Sequence, residues 1–380
     1  MDLHHISFDI PYPPNYGGVM DVFYKISALA EAGVRVHLHA FEYSRPQAED
    51  LLTYCASVHY YPRKKPLLSP PVKYPHIVKS RNHKALLKRL RQDNWPILFE
   101  GMHTTYFLSH PDLEHRVKIV RLHNIEWEYY YQLGQRESKF LQKQYYLAES
   151  RQLQAFENTL PFASHLLTIS PKDTTYYQER FRNVSYLPAF HPHRAVTSQS
   201  GRGEYCLYHG KLSVSENHEA AMFLIYEVFD QLDIPLVIAG SDPQPELISA
   251  ISNREHIRLV HNPGEGEMSE LMRDAHIHVL PTFQATGIKL KLLNGLFSGR
   301  FVIANSPMVH QTGLEFLTTV ANEPAEFRTN ILALFKQDFT QDHVQNRRDV
   351  LKDQFSNRRN AEKLKALIDT SRPLPMRALD

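Results

Sequence analysis

The sequence predicts an α/β protein with two doubly wound, parallel-sheet domains, and three observations support this fold class. The chain has 380 residues, which corresponds to two domains at roughly 100–200 residues each. Short apolar runs alternate with helical stretches, a pattern typical of parallel sheets covered by helices. A segment rich in turn formers, 189–203, interrupts this alternation before it starts again, and we interpret it as an interdomain linker.

The elements follow in order along the chain. In the first domain, 1–188, a strand at 3–10 leads through a turn with Gly17 and Gly18 to a helix that stops at Gly33. Its other strands are predicted at 34–41, 96–99, 117–122, 165–169 and 184–187, and a long helix at 137–160. The second domain, 204–355, has predicted strands at 205–208, 235–239, 257–260, 277–280 and 301–304, and the chain closes with a helix at 347–368.

Composition narrows the class of protein. Hydrophobic residues make up 42% and charged residues 22% of the chain, the balance of a globular protein. The two cysteines, Cys55 and Cys206, have no metal-ligand spacing, which fits a reducing compartment and no zinc site. The first residues lack the basic and apolar regions of a signal peptide, and the longest apolar run, 220–226, is too short to span a bilayer. We therefore expect a cytoplasmic protein that at most rests on the inner face of the membrane.

Polar residues follow two predicted strands of the first domain. In doubly wound sheets, ligands bind outside the carboxyl ends of the strands, so a cleft between the two domains is the expected active site. His123 follows the strand at 117–122, where its imidazole can hydrogen-bond a ligand or pass a proton. We expect it to reach the cleft without filling the core. Glu100, His103, Asn124 and Glu126 are further candidates for ligand contacts, which would be contacts to sugar or acceptor if the ligand is a saccharide, although Glu126 also suits a helix start.

The strongest signal for anion binding is the segment 286–300, after the strand at 277–280. Gly287 lets backbone N–H groups at a helix start approach a ligand, and the helix amino terminus favours negative charge. Lys289 and Lys291 add full positive charges, so the segment is predicted to hold a diphosphate without a metal ion. The alternative is an amphipathic helix with ordinary solvated lysines and a leucine core.

These motifs resemble, in order, those of GT-B glycosyltransferases, specifically glycosyltransferase family 4 (glycosyltransferases group 1). The segment 287–294 is similar to the family's donor-binding segment, and 16–18 resembles its glycine loop. Residues 121–126 resemble the segment that carries the active-site histidine, and 208–212 the first strand and turn of the donor domain. The resemblance implies two Rossmann-like domains facing a central cleft, with the last segment, 356–380, returning to the first domain. It also implies a nucleoside diphosphate sugar as donor, retention at the anomeric carbon, and no metal or cofactor.

If the functional residues of the family are transferred to the matching positions of this sequence, the resemblance implies that His123 is catalytic and that ten residues contact the donor. These are Gly17, Gly18, Gly210, Lys211, Thr286, Gly287, Ile288, Lys289, Lys291 and Asn294. The sequence departs from the family at its pair of glutamates, which are Thr286 and Asn294 here. The second glutamate grips the ribose hydroxyls in the family, a contact that the Asn294 amide can also make. The family's Gly-Arg turn is Gly210-Lys211, and its lysine six residues later is Asn217.

A basic stretch distinguishes the first domain. Ten Lys or Arg residues lie between 63 and 91, no Asp or Glu occurs from 51 to 92, and Tyr, Leu and Pro are interleaved. This pattern predicts that residues 60–91 contact an anionic membrane surface, which suits a lipid-linked acceptor. A solvated basic face and a site for an anionic acceptor remain as alternatives. The prolines and the enzyme-like remainder of the chain argue against nucleic acid as a partner.

We predict a hexosyltransferase-type, metal-independent glycosyltransferase in cell-surface glycan or glycolipid assembly. Its partners would be a nucleoside diphosphate sugar and a saccharide or lipid-linked acceptor. Two alternatives stay open, a sugar-nucleotide epimerase of the same fold and a non-catalytic sugar-nucleotide-binding protein, because the glutamate pair is missing. Donor turnover separates the three.

Overall fold

The computed structural model describes residues 1–15, 17–43, 45–64, 74–283, 290–310 and 312–373. The described chain forms two compact units. The first contains residues 1–192 and 357–373, and the second contains residues 193–283 and 290–356. Each is built around its own parallel sheet.

The sheet of the first unit has seven parallel strands in the order β3-β2-β1-β4-β5-β6-β7. The strands are β1 (Asp2–Ser7), β2 (Arg35–Glu42), β3 (Ser57–Pro62), β4 (Ile97–Glu100), β5 (Lys118–Leu122), β6 (His165–Thr168) and β7 (Val184–Tyr186). The helices are α1 (Gly17–Glu31), α2 (His76–Lys79), α3 (Lys84–Leu90), α4 (Glu126–Arg136), α5 (Phe140–Phe156) and α6 (Pro171–Gln178).

The second unit repeats this plan with six parallel strands in the order β10-β9-β8-β11-β12-β13. The strands are β8 (Cys206–His209), β9 (Leu236–Gly240), β10 (Ile257–His261), β11 (Ile277–Leu280), β12 (Phe301–Ala304) and β13 (Thr319–Val320). The helices are α7 (Ser215–Phe223), α8 (Pro245–Ile251), α9 (Glu265–Asp274), α10 (Leu290–Ser298), α11 (Ser306–Val309), α12 (Pro324–Leu334) and α13 (Gln341–Gln354). The predicted fold class, an α/β protein with two parallel sheets, is confirmed.

The last helix, α14 (Asn357–Thr370), belongs to the first unit. Its buried side chains Ala361, Leu364 and Ile368 share a core cluster with Val22 and Ile26 of α1. Burial of this apolar stripe against α1 holds the carboxyl-terminal segment in the first unit. No helix in the described ranges combines the length and apolar composition that a membrane crossing requires.

The two long predicted helices differ in how the structure matches them. The stretch 137–160 contains one α-helix, α5, which begins at Phe140 after the turn 137–139 and is followed by a 3₁₀ segment at Glu157–Phe162. The stretch 347–368 is broken between α13 and α14, where Asn357 exchanges hydrogen bonds with the backbone of His191 at 2.6 and 3.3 Å. Helical periodicity continues across this break, so the sequence pattern alone does not mark it.

The segment 189–203, predicted as a linker, is packed at both ends. In the first unit, the Phe190 N–H donates to Asp21 Oδ1 at 2.7 Å. In the second, the Thr197 N–H donates to the Phe297 carbonyl at 2.7 Å, and Gly201 forms a β-bridge with Phe339. Turn-forming composition indicated a connection, but long-range hydrogen bonds give the segment a defined path.

A group of buried histidines in the first sheet leads to a prediction about acid stability. His39 is 1% exposed, and its ring bonds His4 at 2.8 Å and the Tyr61 hydroxyl at 2.9 Å. Burial lowers the pKa of His39 well below its usual 6.5, and burial also lowers the pKa of His4 and His5. The bond between two ring nitrogens needs at least one of them unprotonated.

We therefore expect the free energy of unfolding to be highest above about pH 6.5 and to fall as the pH decreases below it. The unfolded chain then binds protons at histidines that the folded chain keeps neutral, at about 1.4 kcal/mol per pH unit for each such histidine. Urea unfolding between about pH 5 and pH 8 measures this dependence. The variant His39→Gln, which cannot titrate, should show a shallower decline. A stability that stays level on acidification through this range would contradict the prediction.

Candidate active site

A cluster of charged side chains lies buried at the carboxyl edge of the first sheet. Side chains alternate along a strand, so Glu100 on β4 and Arg121 on β5, which are paired in register, point to the face covered by α1. The α1 side chains Asp21 and Lys25 meet them there. Lys25 Nζ donates to Asp21 Oδ2 at 2.8 Å and to Glu100 Oε1 at 2.7 Å, and Arg121 Nη2 donates to Asp21 Oδ1 at 3.2 Å.

This cluster balances two carboxylates against two cations. Burial alone would raise the pKa of Asp21, but Arg121 and Lys25 hold it well below its usual range. Burial likewise opposes ionisation of Glu100, yet Lys25 and His5 lower its pKa well below the usual value. Both carboxylates therefore stay ionised at neutral pH, and each is compensated by direct contacts.

His123 lies against this cluster. Its Nε2 is 2.8 Å from Glu100 Oε2, its ring meets Phe8 edge-on at 5.4 Å, and its exposed fraction is 6%. The expectation that His123 leaves the core unfilled is therefore wrong, because the ring is buried, packed against Phe8 and hydrogen-bonded to Glu100. Since Nε2 faces the Glu100 carboxylate, the other ring nitrogen, Nδ1, is left for a further contact. That Nδ1 is buried and has no hydrogen-bond partner within the described ranges.

Three more polar atoms near the ends of β4 and β5 are buried without a partner among the described residues: His103 Nδ1, Asn124 Oδ1 and Glu126 Oε1. His103 Nδ1 lies 3.9 Å from Glu126 Oε1, so one hydroxyl group can bond both. Gly101, with φ of 65°, turns the chain so that His103 folds back. A Cβ at this glycine would lie 2.8 Å from His103 Nδ1, and the positive φ would strain any other residue, so both features favour glycine there.

The shifted pKa values of Glu126 and His103 make this cluster suitable for proton transfer. Burial raises the pKa of Glu126 to about 7, although a hydrogen bond from Asn124 works in the opposite direction. Burial also lowers the pKa of His103 well below its usual value. At neutral pH the Glu126 carboxyl is therefore divided between its acid and carboxylate forms, and His103 is neutral. The structure thus brings together four positions that the sequence proposed, His103, His123, Asn124 and Glu126, each with unused hydrogen-bonding capacity.

Asp21, Glu100 and His123 also have the residue types of a metal site, with ligand atoms within 4.8 Å of one another. Their carboxylate oxygens, however, already accept hydrogen bonds from Lys25 and Arg121. A divalent cation would add charge beside two buried cations whose charge the carboxylates already balance. The side chains present therefore fit a closed ion-pair network better than a metal site.

In the second unit, Lys291 has a fixed position at the end of β8. Its Nζ donates to the Tyr208 hydroxyl at 3.0 Å and to Asn217 Oδ1. Its Cε would lie 2.9 Å from a Cβ at Gly210, so this glycine makes room for the lysine. The Asn217 Nδ2 group donates to the Lys211 carbonyl at 2.8 Å, which turns the amide oxygen toward the ammonium. Lys291 is therefore not an ordinary solvated lysine, which was the alternative interpretation.

The other predicted donor residues of this unit fall into two groups. The Lys211 ammonium points away from this contact, 3.9 Å from Asp242 Oδ2, with 51% of the side chain exposed. Asn294 is bonded through Oδ1 to His193 Nε2 at 2.8 Å, and the His193 ring stacks on Phe297 with centroids 5.0 Å apart. Burial lowers the pKa of His193, so the neutral ring donates and the Asn294 NH₂ group is left for other contacts.

Some predicted positions are placed differently or not at all. Gly17 and Gly18 form the first turn of α1 rather than the preceding loop, where backbone N–H groups have no partner within the helix. Thr286, Gly287, Ile288 and Lys289 lie outside the described residues. Sequence reasoning missed Asp21, Lys25 and His193, and it treated Asn217 as a lost lysine. The Asp21–Lys25 spacing of four residues was a usable signal, but it is also typical of an exposed helical ion pair.

Parts of the sequence are similar to known proteins. Residues 203–337, within the second unit, match the family described as "Glycosyl transferases group 1". An uncharacterized 44.6 kDa protein in the cps region of Klebsiella pneumoniae is 25% identical over 347 residues, covering 86% of this chain and 89% of that protein.

Solved structures agree in fold at low sequence identity. HepE from Anabaena, in complex with UDP and glucose, superposes with a TM-score of 0.66 at 11% identity, covering 97% of this chain and 100% of that one. A TarM mutant from S. aureus, in complex with Fondaparinux, alpha-GlcNAc-glycerol and UDP, gives 0.64 at 8% identity, covering 97% and 100%.

The two parallel-sheet units and these superpositions define the class, a protein with the GT-B fold. The family match then shows that residues 203–337 of the second unit resemble the group 1 glycosyltransferases. The resemblance that the sequence motifs indicated is confirmed.

Proposed function

We propose that this glycosyltransferase moves a sugar from a nucleoside diphosphate sugar to an acceptor hydroxyl. The observation that carries the proposal is the fixed ammonium of Lys291, held by Tyr208 and Asn217 inside the segment that matches the family. The related HepE and TarM structures contain UDP, which supports a nucleoside diphosphate as the ligand of the second unit.

The chemistry needs positive charge where the diphosphate leaves. Lys291 supplies a positioned cation, Lys289 is two residues away in the sequence, and the exposed Lys211 side chain would have to turn away from Asp242 to reach a diphosphate. Preorganised charge of this kind stabilises the negative charge that develops on the leaving group. The proposal is that lysine side chains, rather than a metal ion, compensate the charge of the departing diphosphate. Retention at the anomeric carbon is part of the proposal and derives from the family resemblance.

The first unit would bind hydroxyl groups of the transferred sugar or the acceptor. His123 Nδ1 and Asn124 Oδ1 are buried polar atoms without a hydrogen-bond partner in the described part of the chain, and such atoms are costly unless a ligand or water bonds them. Glu126, with a pKa of about 7, can take a proton from a hydroxyl or return it. The buried ion pairs beneath fix Glu100 and thereby the orientation of His123.

The biological setting follows from two observations. The related protein of Klebsiella pneumoniae is in a cps region, which supports a role in surface polysaccharide assembly. Lys64, Lys84 and Lys88 are exposed in the described part of the basic stretch, which supports contact of residues 60–91 with anionic lipid at the inner face of the membrane. A lipid-linked acceptor would be presented at such a surface.

Replacing Lys291 with alanine should weaken binding of the nucleoside diphosphate by about tenfold or more, because a charge-assisted bond contributes about 1.5–3 kcal/mol. The double variant Lys289→Ala, Lys291→Ala should abolish measurable binding. Calorimetry with UDP, GDP and CMP identifies the base and gives the affinities. Lys352→Ala, which removes an exposed lysine of α13, is the matched control. Unchanged affinity in the double variant, or turnover that stops in EDTA and returns with Mg²⁺, would overturn the proposal.

The replacement of the glutamate pair by Thr286 and Asn294 makes a second experiment necessary. An epimerase would interconvert the sugar nucleotide with no acceptor present, and a non-catalytic binding protein would leave it unchanged. A transferase consumes donor in step with acceptor. Donor turnover with and without a saccharide acceptor therefore decides between the three functions.

A further inference from the structure

The turn between α4 and α5 carries an exposed apolar tip, which we define as residues 136–141. Leu141 is 83% exposed and Phe140 is 70% exposed. They are adjacent, and they are the two most exposed large hydrophobic side chains in the described part of the chain. Single exposed hydrophobic residues need no explanation, but a neighbouring pair at the end of a helical hairpin indicates a surface that is covered in use.

The hairpin presents this tip rigidly. Gly134 of α4 lies so close to α5 that a Cβ on it would be 2.8 Å from Leu147 Cδ2. Further along, Ser150 Oγ donates to the Trp127 carbonyl at 2.7 Å. The two helices are therefore tightly packed behind the tip, and Phe140 and Leu141 project from a defined structure.

Cations flank the apolar pair. Arg136 and Lys139 are exposed, and Lys143 is half-buried one turn further along α5. The acidic residue of the tip, Glu137, accepts the Lys139 N–H at 2.9 Å through Oε1, so part of its hydrogen-bonding capacity is used locally. An apolar tip that is flanked by Arg and Lys side chains is suited to bind the headgroup layer of an anionic bilayer.

The hairpin is also joined to the basic stretch. The Glu149 carboxylate of α5 accepts the His76 and Ile77 N–H groups at 2.9 and 2.8 Å, which caps the start of α2. The rings of His76 and Tyr145 are 6.5 Å apart. Helix α5 thus connects the apolar tip to the segment 60–91, whose described residues carry cations and no carboxylate.

We propose that the α4–α5 tip inserts Phe140 and Leu141 into the headgroup layer of an anionic membrane, while Arg136 and Lys139 contact the lipid phosphates. A second copy of this chain fits the tip less well, because a symmetric contact would bring the same cations together. The inference extends the proposed membrane location and does not depend on the transfer reaction.

The test uses the full-length protein and the variant Phe140→Ser, Leu141→Ser in flotation with vesicles of phosphatidylcholine, alone or mixed with phosphatidylglycerol. Wild-type protein should float with the mixed vesicles, and less so at high salt. The variant should bind them about tenfold more weakly or worse, because each buried side chain contributes a factor of this order. Phe316→Ser, which removes a 64% exposed phenylalanine of the second unit, is the matched control and should bind like the wild type.

Three outcomes would overturn the inference. They are wild-type protein that ignores mixed vesicles at low salt, a variant that binds as well as the wild type, and a wild-type dimer that the variant converts to monomers. A variant carrying Lys64→Glu, Lys65→Glu, Lys84→Glu and Lys88→Glu tests the basic stretch separately, although Lys65 lies outside the described residues. Melting temperature and nucleotide affinity, measured on each variant, establish that the protein is folded and keep this test separate from that of the transfer reaction.

Discussion

Replacing Asp21 with alanine is expected to destabilise the first unit by about 3–5 kcal/mol, the usual cost of removing one partner of a buried ion pair. Asp21 is fully buried and accepts hydrogen bonds from Lys25, Arg121 and the Phe190 backbone. Its loss leaves two buried cations with one carboxylate, Glu100. The charge that remains uncompensated cannot reach water.

Urea unfolding followed by tryptophan fluorescence measures the free energy of unfolding of the first unit. Both tryptophans of the chain, Trp95 and Trp127, lie in the first unit. The control Glu362→Ala removes a partner of an exposed ion pair in α14 of the same unit, where Arg358 is 85% exposed, and should change stability little. Equal effects of the two substitutions would mean that the buried cluster tolerates an unpaired charge, contrary to our account.

Replacing His123 should give the largest loss of activity, about 10²-fold or more in turnover, if the ring acts on the transferred sugar. His123→Ala should also lower the melting temperature, because it removes the contact that Nε2 makes with buried Glu100. His123→Gln separates the two effects. The Gln amide can donate to Glu100 as the ring does, but it has no nitrogen equivalent to Nδ1 and does not titrate.

The expected result is that His123→Gln keeps a melting temperature near that of the wild type and still loses turnover. Affinity for the bare nucleoside diphosphate should hardly change, since that ligand is proposed to bind the second unit. Wild-type turnover in a folded His123→Gln protein would return His123 to a structural role.

Local patterns were sufficient for much of the fold. Apolar runs located, to within a few residues, 11 of the 13 strands that the described residues form. The two that were missed, β3 and β13, are edge strands. The sequence of β3, Ser57–Pro62, has His59 and tyrosines in place of an aliphatic run, and β13 has two residues, so neither has a strong apolar signal.

The sequence by itself determined where polar residues follow strands, and so placed Glu100 and His123 at the carboxyl ends of two strands of the first sheet. The tertiary structure alone decided what they would contact. In the sequence, Asp21 and Lys25 have the spacing of an ion pair on one helix. Only the fold brings Lys25 to Glu100, 75 residues away along the chain, and Asp21 to Arg121, 100 residues away. The same holds for the contacts of Asn217 with Lys291 and of His193 with Asn294. Periodicity is a local property that a sequence displays directly, whereas the pairing of buried polar groups depends on which distant side chains the packed elements bring within hydrogen-bonding distance.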